Sequence, residues 1–344
     1  MVESGTRWHP AVLYQTTGQG TATTLRCDLC PFRCVLREGQ TGVCGVRRRV
    51  GNRLETATFG TSVRHWTAVE RKPFYHYRPG LKVLTLAAPG CTFRCDYCVN
   101  FRVSQVASGD ADLGELDPAT PRELVAQAAE AGAAIGLSYT EPGLAPEFTL
   151  ALAEAAGRAG IDLLWKSNGF LTPAALDLVA PVLAAVNVDV KAADEEAHRR
   201  LTGASLAPVL DAVEALRARG VWVEVTTPLI PGASDQPSQY TEIARSIARI
   251  DPAIPWHLMR FTPSFRMQNE DPGAPAELAA AREAGHAAGL RYVYVERALG
   301  PEGRATGCPG CGTTVVRRGI WELESLDLVD GRCAACGTRL EGRW

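Results

Sequence analysis

The sequence is short of several things. Its 344 residues include three methionines and six histidines, and 36 Lys+Arg against 38 Asp+Glu leave a formal net charge of −2. A near-neutral chain carries no global basic field to draw in nucleic acid or an anionic membrane surface, which argues against both as partners. The one compact basic run, Arg47-Arg48-Arg49, reads as a solvated face. Nowhere does the chain approach the ~18 consecutive apolar residues of a membrane span. Its first ten residues, Met1 to Pro10, lack the apolar core of a signal peptide. These absences predict a cytoplasmic protein. Tandem repeats and long low-complexity segments are also missing. With 46% hydrophobic and 22% charged residues, the composition is that of an ordinary globular chain.

What the chain has in quantity is cysteine, 11 residues of it. A reducing cytosol disfavours structural disulfides, so clustered cysteines there read as metal ligands or redox groups. They sort without remainder into a tetrad (Cys27, Cys30, Cys34, Cys44), a triad (Cys91, Cys95, Cys98) and a second tetrad (Cys308, Cys311, Cys333, Cys336). Four thiolates close a metal site, whereas three leave a coordination position open.

From about residue 80 to 300 strand-like and helix-like stretches alternate. Lys82–Ala87 reads as a strand ended by Pro89-Gly90. A helix is expected at Pro121–Glu130, with Thr120 as N-cap and proline at its first position. A strand at Ala133–Tyr139, a helix near 146–158 and a strand at Ile161–Trp165 follow. The next αβ pair ends in Val186–Val190. Leu206, Val209, Leu210, Val213 and Leu216 repeat at helical spacing and predict a helix over 206–219. A strand at Val221–Thr226, a helix near 238–250, a strand near 255–261, a helix near 275–288 and a strand at Tyr292–Val295 complete the series. Six βα units without hairpin signals predict an α/β fold with a parallel sheet, closed as a partial (β/α)6 TIM-like barrel over residues 80–300. Residues 1–79 form a small Cys-rich metal-binding region before it, and 301–344 a zinc-ribbon tail after it. In such barrels the chemistry sits at the C-terminal ends of the strands. Cys91, Thr140-Glu141, Asn168 and Asp189–Lys191 fall after the first, second, third and fourth strands.

The triad is spaced CxxxCxxC, with Tyr97 before the last cysteine. Three thiolates in one loop can hold three irons of a 4Fe–4S cube and leave the fourth iron for a small molecule. The competing reading is a zinc site that borrows a fourth ligand from His65 or His76. The motif resembles that of the radical S-adenosylmethionine superfamily. The resemblance implies a 4Fe–4S cluster on Cys91, Cys95 and Cys98 that binds S-adenosylmethionine and cleaves it reductively to a 5′-deoxyadenosyl radical, which takes hydrogen from a substrate. It also implies a reductant such as flavodoxin or ferredoxin. Residue by residue, Tyr97 is similar to the aromatic packed by the adenine. Tyr139-Thr140-Glu141-Pro142 stands where the superfamily has a Gly-Gly-Glu-like motif facing the methionine ammonium, with tyrosine and threonine in place of the glycines. Asn168 and Asp189-Val190-Lys191 resemble ribose and carboxylate contacts of pyruvate formate-lyase-activating enzymes, and His257 a histidine near the adenine. Asp189, set between valines in a strand, needs a partner such as Lys191 or a ligand.

In the first tetrad, Cys27-x-x-Cys30-x-x-x-Cys34 and Cys44 suit either zinc or a second iron–sulfur cluster, which could feed electrons to the first. The knuckles Cys308-x-x-Cys311-Gly312 and Cys333-x-x-Cys336-Gly337 read as structural zinc.

Along nearly its whole length the chain is similar to the AmmeMemoRadiSam-system radical S-adenosylmethionine enzymes, relatives of the pyruvate formate-lyase-activating family. The matching strings are Cys27–Cys34 with Gly42–Gly45, Lys72–His76 with Pro79-Gly80, the triad, Tyr139–Pro142, Val186–Lys191, Val221–Thr227 with Pro231-Gly232, Ile254–His257 with Arg260-Phe261, and both knuckles. Val99-Asn100-Phe101 departs from the family, which has glutamine after the last cysteine. The family name implies AMMECR-like and MEMO-like proteins as partners. Three functions follow for comparison: a radical enzyme on a small molecule or peptide, an activase that installs a glycyl radical on a protein partner, and a non-catalytic metal-stabilised binding module.

Overall fold

A computed structural model describes residues 7–18, 23–106, 115–157 and 159–344. The chain forms two compact units. The first holds residues 1–66, 83–94 and 100–184, and the second 67–82, 95–99 and 185–344.

In the first unit, strands Lys82–Ala87 (β1), Ala134–Leu137 (β2) and Leu163–Ser167 (β3) run parallel, with Leu84 opposite Ile135 and Ile135 opposite Leu163. The strands are apolar and buried along most of their length, as a sheet covered on both faces requires. Helices Pro121–Glu130 (α1), Pro146–Ala156 (α2) and Pro173–Val179 (α3) make the crossovers. Helix α1 begins where the sequence predicts. The Thr120 hydroxyl accepts from the Glu123 amide and the Glu123 carboxylate accepts from the Thr120 amide, so two orphan donors of the first turn are satisfied. Helix α2 ends at Ala156, and the expected residue 158 lies outside the described residues. Ahead of β1, two antiparallel three-stranded sheets carry the N-terminal cysteines: His9–Pro10, Arg53–Thr56 and Arg47–Val50 in one, and Tyr14–Thr17, Thr24–Cys27 and Val35–Leu36 in the other.

The arginine run is not a solvated face. Arg47 is 1% exposed and Arg49 7%. Alternation along the strand turns both inward, where Arg47 donates to Glu147 at 3.0 Å and Arg49 to the Thr23 carbonyl at 2.6 Å. A buried guanidinium persists because its charge is paired and most of its donors are met.

In the second unit, strands Ala185–Asp189 (β4), Trp222–Leu229 (β5), Trp256–Arg260 (β6) and Val293–Val295 (β7) pair in parallel in chain order. The helices between them are Glu195–Thr202 (α4), Ala207–Ala218 (α5), Pro237–Ile250 (α6) and Pro275–Ala287 (α7). Of the predicted stripe, Val209, Val213 and Leu216 are buried on α5, with Ala212 beside them; Leu210 is half-buried and Leu206 stands just before the helix. Helix α4 was not expected; Asp194 caps it, and Gly203 closes it in the left-handed conformation at φ 78°. The C-terminal residues add the antiparallel strands Thr306–Gly307, Thr314–Arg318 and Leu323–Leu326, and the pair Leu328–Val329 and Arg332–Cys333. Among the described residues, no helix is long and apolar enough to cross a membrane.

Candidate metal and cofactor sites

Cys91 to Arg94 belong to the first unit and Cys95 to Val99 to the second. In the first unit β1 ends at Ala87 and the chain turns through Gly90, which has φ 91°. A Cβ there would stand 2.6 Å from Val46 Cγ1, so both the backbone conformation and the space call for glycine. Cys91 follows, with its sulfur 3.3 Å from the Phe93 amide. Asn168, just past the end of β3, donates through Nδ2 to Thr92 Oγ1 at 2.9 Å and points the same amide at Cys91 Sγ at 3.6 Å. The predicted neighbours at the ends of β1 and β3 are therefore in contact.

Glu141, past the end of β2, is 2% exposed. Its Oε1 accepts from the Gly143 amide (2.8 Å) and Ser167 Oγ (2.7 Å), and its Oε2 from the Asn168 amide (2.8 Å). Its own amide donates to the Gly90 carbonyl at 3.1 Å. Through its carboxylate and its amide, this one residue ties the loop after β2 to the end of β3 and to the loop after β1. Thr140 adds a hydroxyl bond to the Ala88 carbonyl. Tyr139 stands where the resemblance expects glycine, and it takes a glycine-like φ of 72°. A bulky residue in that region is strained. His65 anchors it, with Nε2 2.9 Å from the Tyr139 hydroxyl.

In the second unit Cys95 is buried and Cys98 half-buried, and the Cys98 amide donates to the Cys95 carbonyl at 3.2 Å. Burial pushes the Cys95 thiol up to about 12, against a smaller opposing pull from Lys191. Lys191 bonds the half-buried Asp189 at 2.7 Å, the partner this strand aspartate needed. Burial pulls the Lys191 amine down, but Asp189, with Tyr97 and Cys95 beside it, overrides this and holds it well above its ordinary range. Lys191 Nζ stands 5.7 Å from the Tyr97 ring centre, and Tyr97 packs at 6.1 Å on Phe261. Tyr97, Asp189 and Lys191 therefore form one group.

His257 belongs to another group. It is fully buried, and its Nε2 lies 2.6 Å from Glu224 Oε2. Glu224 also accepts from the amides of Tyr75 (3.0 Å) and His76 (2.8 Å) and from Trp222 Nε1 (3.0 Å). Burial works against its ionisation, yet the His257 bond and the charges of His257 and His76 hold its carboxyl below the ordinary range. From His76 a directed chain runs outward. The Glu341 carbonyl only accepts, so His76 Nδ1 carries the proton in their 2.6 Å bond, and Nε2 accepts from the Tyr294 hydroxyl at 2.5 Å. Thr306 then donates to Tyr294 (2.9 Å), and Arg318 to Thr306 (2.9 Å). Both ring nitrogens of His76 are taken in this way, so it does not serve the zinc reading of the triad, while His65 spends Nε2 on Tyr139. Glu224 is not among the residues the sequence singles out, although a lone carboxylate in the apolar string Val221–Thr226 is the signal that marks it.

Cys308 and Cys336 sulfurs lie 3.6 Å apart and those of Cys311 and Cys333 3.8 Å, with all four within 4.8 Å of one another. Metal–sulfur bonds of about 2.3 Å at tetrahedral angles place sulfurs about 3.8 Å apart, so this tetrad fits a single four-coordinate metal. The Gly310 amide points at Cys308 Sγ at 3.4 Å. The N-terminal Cys27, Cys30, Cys34 and Cys44 line one small cavity with Leu29, Phe32, Leu36, Val43 and Leu144. Arg47 Nη1 reaches Cys27 Sγ at 3.5 Å. Burial, with the neighbouring cysteines adding, raises the thiols of Cys30 and Cys44, the latter to about 11. Such thiols ionise when a metal takes the proton's place.

A family model for the radical SAM superfamily matches residues 86–241. The chain is 30% identical over 322 residues to an uncharacterized protein of Methanocaldococcus jannaschii, covering 92% of this chain and 95% of that one. It is 31% identical over 134 residues to the isethionate sulfite-lyase activating enzyme of Oleidesulfovibrio alaskensis, 38% of this chain and 43% of the relative. It is 24% identical over 197 residues to the pyruvate formate-lyase-activating enzyme of Listeria monocytogenes, 53% and 77% of the two chains. The chain therefore carries a radical SAM domain over residues 86–241, with homology to activating enzymes.

Proposed function

We propose that this chain is a radical enzyme whose Cys91, Cys95 and Cys98 hold a 4Fe–4S cluster. When bound, that cluster and S-adenosylmethionine supply reductive sulfonium cleavage and a 5′-deoxyadenosyl radical able to take hydrogen from a substrate. The observation that carries the reading is the contact of Asn168, at the end of β3, with Cys91 and Thr92, at the end of β1.

The chain's own residues have distinct tasks in this proposal. Glu141 spends its carboxylate on Gly143, Ser167 and Asn168, so it fixes the strand-end loops that would receive S-adenosylmethionine. Asn168 offers its side-chain amide beside Cys91, and Thr140 holds the Ala88 carbonyl at the end of β1. Asp189 and Lys191 present an ion pair for ribose and carboxylate, next to Tyr97 for the adenine. His257, locked to Glu224, positions β6 from behind. The strands form a partial (β/α)6 barrel over 80–300, between the Cys-rich region 1–79 and a zinc ribbon at 301–344. Zinc is assigned to Cys308, Cys311, Cys333 and Cys336, and zinc or a second cluster to Cys27, Cys30, Cys34 and Cys44. The setting is the cytoplasm, with flavodoxin or ferredoxin as reductant. The strings shared with AmmeMemoRadiSam enzymes make AMMECR-like and MEMO-like proteins the proposed partners.

One observation favours a second reading. The match to an isethionate sulfite-lyase activating enzyme supports a protein substrate that receives a glycyl radical.

Anaerobic reconstitution with iron, sulfide and a reductant tests the first reading. The wild type should release 5′-deoxyadenosine from S-adenosylmethionine, and Cys95→Ala should release none. A fully reconstituted wild type that leaves S-adenosylmethionine intact would refute it.

A further inference from the structure

Several contacts inside the first unit press the N-terminal cysteines against the Cys91 loop. Phe32, between Cys30 and Cys34, meets Phe170 edge-on at 5.1 Å, and Phe170 meets Phe93 at 5.5 Å. One ring therefore separates the two cysteine loops. Gly90 lies so close that a Cβ would stand 3.4 Å from the Cys44 carbonyl oxygen, and Arg94 donates to the Val43 carbonyl. Past β3, the Thr172 hydroxyl donates to the Asp28 carbonyl at 2.7 Å.

The thiol spacing separates the two tetrads. Among the described residues, the C-terminal tetrad is the cysteine group whose sulfurs all lie within 4.8 Å of one another. The N-terminal four share a cavity lined by apolar side chains and, among the described residues, do not form such a group. A lone metal draws sulfurs to about 3.8 Å. A cube of irons and sulfides sits between its thiolates and spreads them. The buried Arg47 guanidinium, its charge paired with Glu147, directs an N–H at the Cys27 sulfur. Such a bond stabilises the more negative, reduced state of an iron–sulfur cluster. A zinc ion has no such state. On the outer side Cys34 is half-buried, and Val35 and Val43 stand exposed beside it, which leaves an approach for an electron carrier.

We propose that Cys27, Cys30, Cys34 and Cys44 hold a redox-active iron–sulfur cluster that relays single electrons to the cluster on Cys91, Cys95 and Cys98. The proposal rests on the function assigned above for its receiving end. In each transfer the N-terminal cluster is oxidised by one electron and the triad cluster reduced by one. No bond forms or breaks and no proton moves. A one-electron carrier protein, or dithionite in vitro, re-reduces the donor.

The test compares the reconstituted full chain with a Cys91→Ser/Cys95→Ser/Cys98→Ser variant and with Cys34→Ser, by iron, sulfide and zinc content and by electron paramagnetic resonance after dithionite reduction. The triple variant should keep about half of the wild-type iron and sulfide, with a reduced-cluster signal of its own. The wild type should show spin–spin broadening that both variants lose. Zinc without iron in the triple variant overturns the proposal, whether or not Cys34→Ser folds. Two clusters without magnetic interaction in the wild type overturn the relay. Equal iron in wild type and triple variant overturns the function assigned to the triad, and the relay loses its acceptor. That result differs from zinc at the tetrad, which leaves the triad intact.

Discussion

His257 Nε2 and Glu224 Oε2 lie 2.6 Å apart with neither side chain exposed, and this pair decides what His257 does. An imidazole held this way organises the sheet from inside. Replacing Glu224 by glutamine puts an amide N–H among donors from Tyr75, His76, Trp222 and His257. Breaking such a buried network costs about 3 kcal/mol. Thermal or urea denaturation of Glu224→Gln should show that loss, and a neutral substitution would remove Glu224 from its central place.

Acid should act through His76. Burial, opposed by Glu224 and the Glu341 carbonyl, holds His76 down at about 4 against an ordinary 6.5. The unfolded chain then binds the proton that the folded chain refuses, so stability rises with pH between those values. It is complete above 6.5 and is lost as pH falls toward 4, amounting to about 3 kcal/mol. Glu224, Arg318 and His257 face the ring and set the background. In a pH series of melting curves, His76→Gln should flatten the wild-type slope over that window; parallel slopes would show that His76 titrates normally.

Tyr139 stores backbone strain. At φ 72° glycine is favoured over alanine by about 1 kcal/mol. Both Tyr139→Gly and Tyr139→Ala lose the bond to His65, so their difference isolates the backbone. Tyr139→Gly should melt above Tyr139→Ala, and the reverse order would place the residue elsewhere in φ.

Gly90→Ala attacks the triad loop without touching a ligand. The new Cβ meets Val46 at 2.6 Å in a left-handed conformation, a combination that costs on the order of 2 kcal/mol and displaces Cys91. Iron bound after reconstitution should fall well below wild type while the secondary-structure signal is kept. Full iron loading would show that the loop adapts.

Removing metal from the C-terminal tetrad should loosen its strands first. The Arg343 amide donates to the His76 carbonyl at 2.8 Å, and the Arg78 amide to the Arg343 carbonyl at 2.6 Å. After chelation, hydrogen exchange at Arg78 and Arg343 should quicken before that at β1–β3. Unchanged protection would assign those bonds to packing alone.

Much of this was legible because the signals are local. Pro121 and Thr120 announce α1, apolar runs announce the strands, and cysteine spacing announces the three groups. The placement of Cys91, Thr140-Glu141, Asn168 and Asp189–Lys191 after successive strands follows from those same runs. What escaped depends on distant partners. Arg47 and Arg49 are ordinary surface residues until Glu147 and the Thr23 carbonyl come to meet them. Helix α4 is mostly charged and buries only Ala197, His198, Leu201 and Thr202, too faint a stripe to read. Glu141 was expected to face a ligand, but its oxygens serve groups that converge only in the folded chain.

The pairing of Arg47 with Glu147 sets an order of events at the ribosome. The two residues are 100 positions apart, and Glu147 also receives the Val12 amide at 2.7 Å. At elongation rates of about 5–20 residues per second, the cysteines at 27–44 and Arg47 emerge roughly 5–20 s before Glu147, the counter-ion of Arg47, does. During that interval four thiols destined for one cavity are nascent, reduced and unshielded. Under the relay proposal, insertion of their cluster therefore belongs after translation has passed residue 147.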